Sequence, residues 1–198
     1  MNAFRLPFRA IAFVSVTVII ATTFGNAGAS TTSGSYNAPD AKLVPSAYRH
    51  QTLNICTDAS APPFESLNNG AFVGFDIDLM KAVGRTLDIR ESFDNVSHTN
   101  LLAYLGFGTC QMTLPGSVYD PQEYSQIYQV EYPYFDDQLE YSGMDIWRNP
   151  VGFALARAVQ AAERTMIKNG TYEAIALKWN FQFDFGEGSF LPTDIRVQ

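Results

Sequence analysis

Leu53-Asn54-Ile55-Cys56-Thr57-Asp58 leads into Ala59-Ser60-Ala61-Pro62-Pro63-Phe64-Glu65, then Asn68-Asn69-Gly70, then Ala71-Phe72-Val73-Gly74-Phe75-Asp76-Ile77-Asp78-Leu79. The first run reads as a short strand, and the two adjacent prolines make the segment after Asp58 a loop. Asn-Gly signals a turn before a second short strand at Ala71 to Val73. Gly74 then gives way to a helix, because Phe75, Leu79, Val83 and Leu87 recur every four residues, with Asp76, Asp78, Lys81 and Arg85 between them. Asp76 and Asp78, in a first helical turn, are read as complementing the helix dipole rather than as a metal or acid pair.

Downstream, Ser97 is placed to cap a shorter helix carrying Leu101, Leu102 and Leu105, which ends before Gly106 and Gly108. A strand is expected next at Gln111 to Leu114. Strand, hairpin, helix, helix, strand is the order of an α/β layer, so a largely parallel, buried sheet is expected. In open α/β sheets ligands sit at the C-terminal ends of the strands. That rule selects Asp58 after the first strand and Pro115-Gly116-Ser117 after the one ending at Leu114. Asp120-Pro121 opens a helical stretch expected to run through Ile127, closed by Tyr132-Pro133-Tyr134-Phe135. The clearest helix has Asn149 as cap, Pro150 first, and a stripe of Val151, Leu155, Val159, Ala162 and Met166 ending at Asn169-Gly170. Thr171 is read as the next cap, before a face of Tyr172, Ile175, Ala176 and Trp179.

Upstream, Arg5 and Arg9 precede an apolar run from Ala10 to Ile20 that ends in Ala27-Gly28-Ala29, a secretory signal cut before Ser30. A membrane anchor is the alternative, but the run falls short of the roughly 20 residues that span a bilayer. Residues 30–50 read as a flexible leader, 51–180 as one α/β domain and 181–198 as an aromatic, acidic tail. Of the 198 residues 46% are hydrophobic and 17% charged, a globular composition, and the net charge is −7. Such a balance speaks against nucleic acid and anionic membrane surfaces as partners. The chain has two histidines, His50 and His98, with no metal-ligand spacing and no phosphate-cradling glycine loop. No metal, no cofactor and no enzymatic activity are therefore expected. In an exported chain Cys56 and Cys110 are expected to pair if their two strand-like runs are neighbours; two inert buried thiols are the alternative.

Thr57-Asp58-Ala59-Ser60, Pro62-Pro63-Phe64-Glu65 and Val73-Gly74-Phe75-Asp76-Ile77-Asp78-Leu79 together resemble the start of the family 3 extracellular solute-binding proteins, the amino-acid-binding components of ABC importers. Asn169-Gly170-Thr171-Tyr172 and Lys178-Trp179 look like that family's closing helices. The resemblance implies a type II periplasmic binding protein fold, a two-lobed α/β clamp with ligand in the cleft. It also implies that the runs at Leu53 to Thr57 and Gln111 to Leu114 are adjacent parallel strands. Cys56 and Cys110 would then lie within the roughly 4.4 to 6.8 Å Cα separation a disulfide needs.

Two departures qualify the resemblance. Only Asp136 to Arg148 stand where the family builds a second lobe, and one strand–helix–strand unit already needs about 30 residues. A single lobe with a truncated second one is expected. No arginine lies between Arg90 and Arg148, where the family places one to clamp a ligand carboxylate, and Asp120 and Glu123 stand in the matching stretch. His98 falls where the family often has a stacking aromatic, or else is a surface histidine. The expected remnant site is Asp58, Phe64, His98, Pro115, Gly116 and Ser117. It would bind a small polar, amino-acid-like solute weakly and work in the periplasm with an ABC permease. The alternative is an interaction module, because the cysteines and the Leu114-Pro115-Gly116 loop also resemble quinoprotein-dehydrogenase-associated members of the superfamily. Tyr124, Tyr128, Tyr132, Tyr134, Phe135, Tyr141, Phe181, Phe183 and Phe185 would then form an interface to a periplasmic partner protein or a second copy.

Overall fold

The computed structural model describes residues 40–114, 125–131 and 143–181. In chain order these contain β1 (Thr52–Thr57), β2 (Ser60–Ala61), β3 (Glu65–Asn68), β4 (Ala71–Val73), α1 (Phe75–Leu87), β5 (Arg90–Asn95), α2 (Leu101–Gly106), β6 (Met112–Leu114), β7 (Ile127–Glu131), β8 (Gly143–Trp147), α3 (Pro150–Lys168) and α4 (Thr171–Lys178). The main sheet runs β5-β1-β6-β8-β7, and β2-β3-β4 form a small antiparallel sheet beside it. β1 is parallel to both neighbours, with Thr57 opposite Asn95 and Leu114. β8 is antiparallel to β6 and β7. The sheet is thus mixed, and its parallel half is the strand–helix–strand layer expected from 51 to 114.

Period-2 alternation sorts β1 between two layers. Leu53 and Ile55 face the main core with Ile77, Met80 and Val83 of α1 and Leu155, Val159 and Met166 of α3. Cys56 belongs to a second cluster with Val96, Leu101 and Cys110. Cys56 and Cys110 form a disulfide with Cα atoms 5.8 Å apart, which staples β1 to the segment entering β6. The helical stripes hold with one exception, since Val151 at the start of α3 is 38% exposed while Leu155, Val159, Ala162 and Met166 are buried. Asn149 caps α3, its Oδ1 accepting from Gly152 N at 2.8 Å.

The expectations fail at four places. Residues 40–50, read as flexible leader, pack on the domain: Val44 is 2% exposed, and Thr165 Oγ1 donates to Asp40 at 2.6 Å. The expected helix ending at Ile127 is contradicted where it can be seen, since Ser125 and Gln126 form a turn and Ile127 opens β7. Asp120 to Tyr124 lie outside the described residues. Ile-Tyr-Gln-Val suits a strand, and β8 offers it a complete antiparallel partner. Ser97 makes no capping bond with its side chain. Thr171 is the first residue of α4 rather than its cap, and its N–H is taken by Asn169 Oδ1 at 3.0 Å.

β7 and β8 pair from Ile127 opposite Trp147 to Glu131 opposite Gly143. Part of the segment available for a second lobe is therefore a strand of the first lobe's own sheet. Only residues 132–142 join the two strands, far below the length of an α/β layer. The second lobe is truncated to a hairpin connection.

Candidate functional site

The C-terminal ends of β1, β5 and β6, at Thr57, Asn95 and Leu114, lie side by side because the strands are parallel and in register. Beyond β1, Asp58 is half-buried and its Oδ2 accepts the His98 backbone N–H at 2.9 Å. Asp58 thereby caps the 3-10 turn His98–Asn100, the task expected of Ser97. Asn95 Oδ1 takes Ala59 N at 3.1 Å. Asp58 and His98 are thus brought together, with the His98 residue exposed. Pro115, Gly116 and Ser117 lie outside the described residues.

The Pro62-Pro63-Phe64 loop and α1 are one unit. Phe75 N donates to Pro63 O at 3.0 Å and Asp76 N to Phe64 O at 3.1 Å, so chain carbonyls satisfy the helix's first orphan donors. This close approach requires glycine at 74, where φ is +147° and a Cβ would collide with the Phe64 carbonyl. Phe64 is half-buried, and its ring stacks on Phe181 with centroids 5.4 Å apart. Phe181, counted from sequence among the interface aromatics, is therefore packed on the domain, and Tyr128 is half-buried against Phe153 at 5.5 Å.

Asp76 and Asp78 do more than complement the dipole. Asp78 Oδ2 accepts from Lys178 Nζ at 2.6 Å and Trp179 Nε1 at 2.8 Å, tying α1 to the end of α4. Asp76 is fully buried beside Glu65, itself fully buried. Burial first, then the charge of Asp76 beside it and the charge of Asp58, push the Glu65 carboxyl up to about 9. Glu65 therefore holds its proton at neutral pH. Further into the core, Glu163 is fully buried with neither carboxylate oxygen hydrogen-bonded among the described residues, and burial raises its pKa well above the usual range. The Glu65–Asp76 pair escaped the sequence reading because its members sit on β3 and α1. The available signal was an acid placed directly after the Pro-Pro-Phe loop.

The opposite end of the sheet is different. A cavity of about 290 Å³ is lined by Leu105, Phe107, Cys110, Ile146, Trp147 and Asn149, among others. It lies at the N-terminal end of β6, away from Asp58, so it is not the ligand edge of an α/β sheet. Among the described residues no group of three His, Cys, Asp or Glu side chains could hold a metal ion.

Arginine-binding protein 2 of an ABC transporter in Escherichia coli (strain K12) is 32% identical over 99 residues, which are 50% of this chain and 40% of that protein. The chain thus spans less than half the length of that relative. An ancestral cationic amino acid solute binding protein superposes with a TM-score of 0.57 at 17% identity, covering 66% of this chain and 96% of the other. The arginine-bound form of domain 1 from TmArgBP superposes with a TM-score of 0.50 at 23% identity, covering 58% and 92%. These two likenesses establish the fold. Residues 53–182, which run from β1 past α4, match the model of bacterial extracellular solute-binding proteins, family 3, and the chain belongs to that family.

Proposed function

We propose that this chain is a periplasmic solute-binding protein, exported through a leader cleaved before Ser30, that presents a small polar, amino-acid-like solute to an ABC permease and catalyses no reaction. Its solute sits at the C-terminal edge of the parallel strands, beside Asp58, Phe64 and His98, with Pro115, Gly116 and Ser117 following β6. The observation that carries this reading is the family fold of the described first lobe, with an acidic side chain, Asp58, at the C-terminal ends of its parallel strands. Relatives named for arginine support a cationic solute, and the arginine-bound form of an isolated domain 1 supports binding by one lobe. Affinity is modest, because one wall encloses and desolvates a small ligand less than two. Calorimetric titration of the oxidised protein from Ser30 onward with the common amino acids tests the reading. Micromolar to millimolar binding of cationic members is expected. No heat with any of them or with their amine counterparts overturns it.

A second reading, an interaction module, is favoured by Phe107, which is 85% exposed beside the cavity at the opposite end of the sheet. Light scattering at high micromolar concentration tests self-association through that face, and a Phe107→Ser variant that stays as associated as the parent counts against it.

A further inference from the structure

We infer that the cavity at the N-terminal end of β6 is the socket of a two-fold dimer, in which Phe107 of each copy of this chain enters the cavity of the other. This rests on the interaction-module reading, whose partner it names, and is independent of the solute site.

The first ground is a projecting ring beside a recess. Phe107 follows α2 and is 85% exposed, the largest fraction among the exposed large hydrophobic residues described. Its turn is held by the backbone, Phe107 N donating to Ala103 O at 2.9 Å and Gly108 N to Leu105 O at 3.0 Å. The recess of about 290 Å³ next to it has Leu105, Ile146 and Trp147 in its wall, with ample room for one benzyl side chain. The end of α2 and the start of α3 meet over Trp147: a Cβ at Gly106 would lie 3.2 Å from the indole, and one at Gly152 would collide with the Trp147 carbonyl. Of the seven large hydrophobic residues exposed among those described, four stand on these two segments, Tyr104, Phe107, Val151 and Phe153. Clustering of this kind marks an association surface. Two polar side chains in the wall serve the chain itself, Gln111 accepting from Asn54 N and donating to Gly108 O, and Asn149 accepting from Gly152 N. An aromatic side chain asks for ring and aliphatic surface and no hydrogen bond.

The second ground selects a like chain as the occupant. Ring and recess are the two halves of one contact, and within a single copy they cannot meet, because Phe107 is itself part of the wall. A two-fold axis through such a patch sets each half against the other and makes both contacts at once. Charge agrees with this choice. The chain carries a net −7, so two copies repel over most approaches. The segments that build this patch, residues 95–114 and 146–162, contain none of the 20 aspartates and glutamates, and every residue lining the recess is uncharged. Arg148 and Arg157 in the second segment lower the negative potential that an acidic second copy meets.

The test is sedimentation equilibrium of the oxidised protein from Ser30 onward, with Trp147 as a local reporter. A monomer–dimer equilibrium in the micromolar range is expected, and tryptophan emission should shift to the blue with protein concentration as Trp147 is covered. Phe107→Ser, at an exposed position where the fold tolerates change, is expected to weaken the dimer about tenfold or more and to remove the concentration-dependent shift, while Phe107→Leu keeps most of both. A dimer that Phe107→Ser leaves equally tight overturns the inference. A chain that stays monomeric at high micromolar concentration also overturns it, and N-acetylphenylalaninamide then separates two cases. Saturable quenching of Trp147 by that probe assigns the cavity to a different aromatic partner and leaves the interaction-module reading standing, whereas no response overturns both. Solute titration of the Phe107→Ser protein should match that of the parent, so the solute-binding reading is judged separately.

Discussion

The two ends of the one sheet carry opposite chemistry. At the C-terminal ends of the parallel strands stand Asp58, Asn95 and the α1 turn with Asp76 and Asp78, its donors filled by neighbouring carbonyls. At the N-terminal ends stand Arg90 and Arg148, and the Arg148 guanidinium lies 5.0 Å over the Tyr128 ring beside the aromatic cavity. Strand direction causes the segregation: parallel β1, β5 and β6 deliver the segments that leave them to one end, while antiparallel β8 returns the segment that leaves it, with Arg148, to the other. The lesson is that a concave pocket and the edge where α/β sheets hold their ligands can lie at different ends of the same domain, so concavity and topology point to different places.

The largest effect tests the link on which both ends depend. Cys56→Ser, or reduction, removes a link closing 54 residues, for which chain entropy gives about 4 kcal/mol. A fall in Tm on the order of 15 °C is expected by calorimetry, and an unchanged Tm would show that the staple contributes nothing. Next, a glycine at each end sets a rigid contact against an open turn. Gly74→Ala combines a left-handed φ with a backbone collision and should cost about 3 kcal/mol, whereas Gly108→Ala, at φ +74° with nothing near the missing Cβ, should cost about 1. Equal losses in urea denaturation would erase the distinction.

Titration of the C-terminal end ranks third. Glu65 has a folded pKa of about 9 against an ordinary 4.5, so its contribution is full below 4.5 and is lost as pH rises through 9. Wild-type Tm should therefore decline from pH 5 to 9 more steeply than that of Glu65→Gln, and parallel curves would contradict a protonated Glu65 at neutral pH. The smallest effect is at Asp78. Its partner Lys178 is 62% exposed, so Asp78→Ala should cost about 1 kcal/mol, most of it from the Trp179 bond, with little dependence on salt. A strong salt dependence would mean that the ion pair dominates.

Local order was legible wherever chemistry close in sequence decides it. Phe75, Leu79, Val83 and Leu87 announce α1 because a 3.6-residue period buries one face, and Asn149-Pro150 marks the start of α3 because capping is a contact over three residues. The family resemblance rested on such a segment, and the adjacency it implied for β1 and β6 is what lets Cys56 meet Cys110. Ile127 was misread because a proline start signal was extended into a segment whose state is set by pairing with β8. Residues 40–50 gave no period, yet Val44 is in the core because α1 and α3 leave it a place. Only the tertiary structure decided that Asp58 caps the turn at His98, that Glu65 and Asp76 are buried side by side, and that β7 and β8 close into a hairpin where a second lobe would begin. Each of these joins residues from different elements, and the free energy of such contacts depends on distances and burial that a linear pattern does not contain.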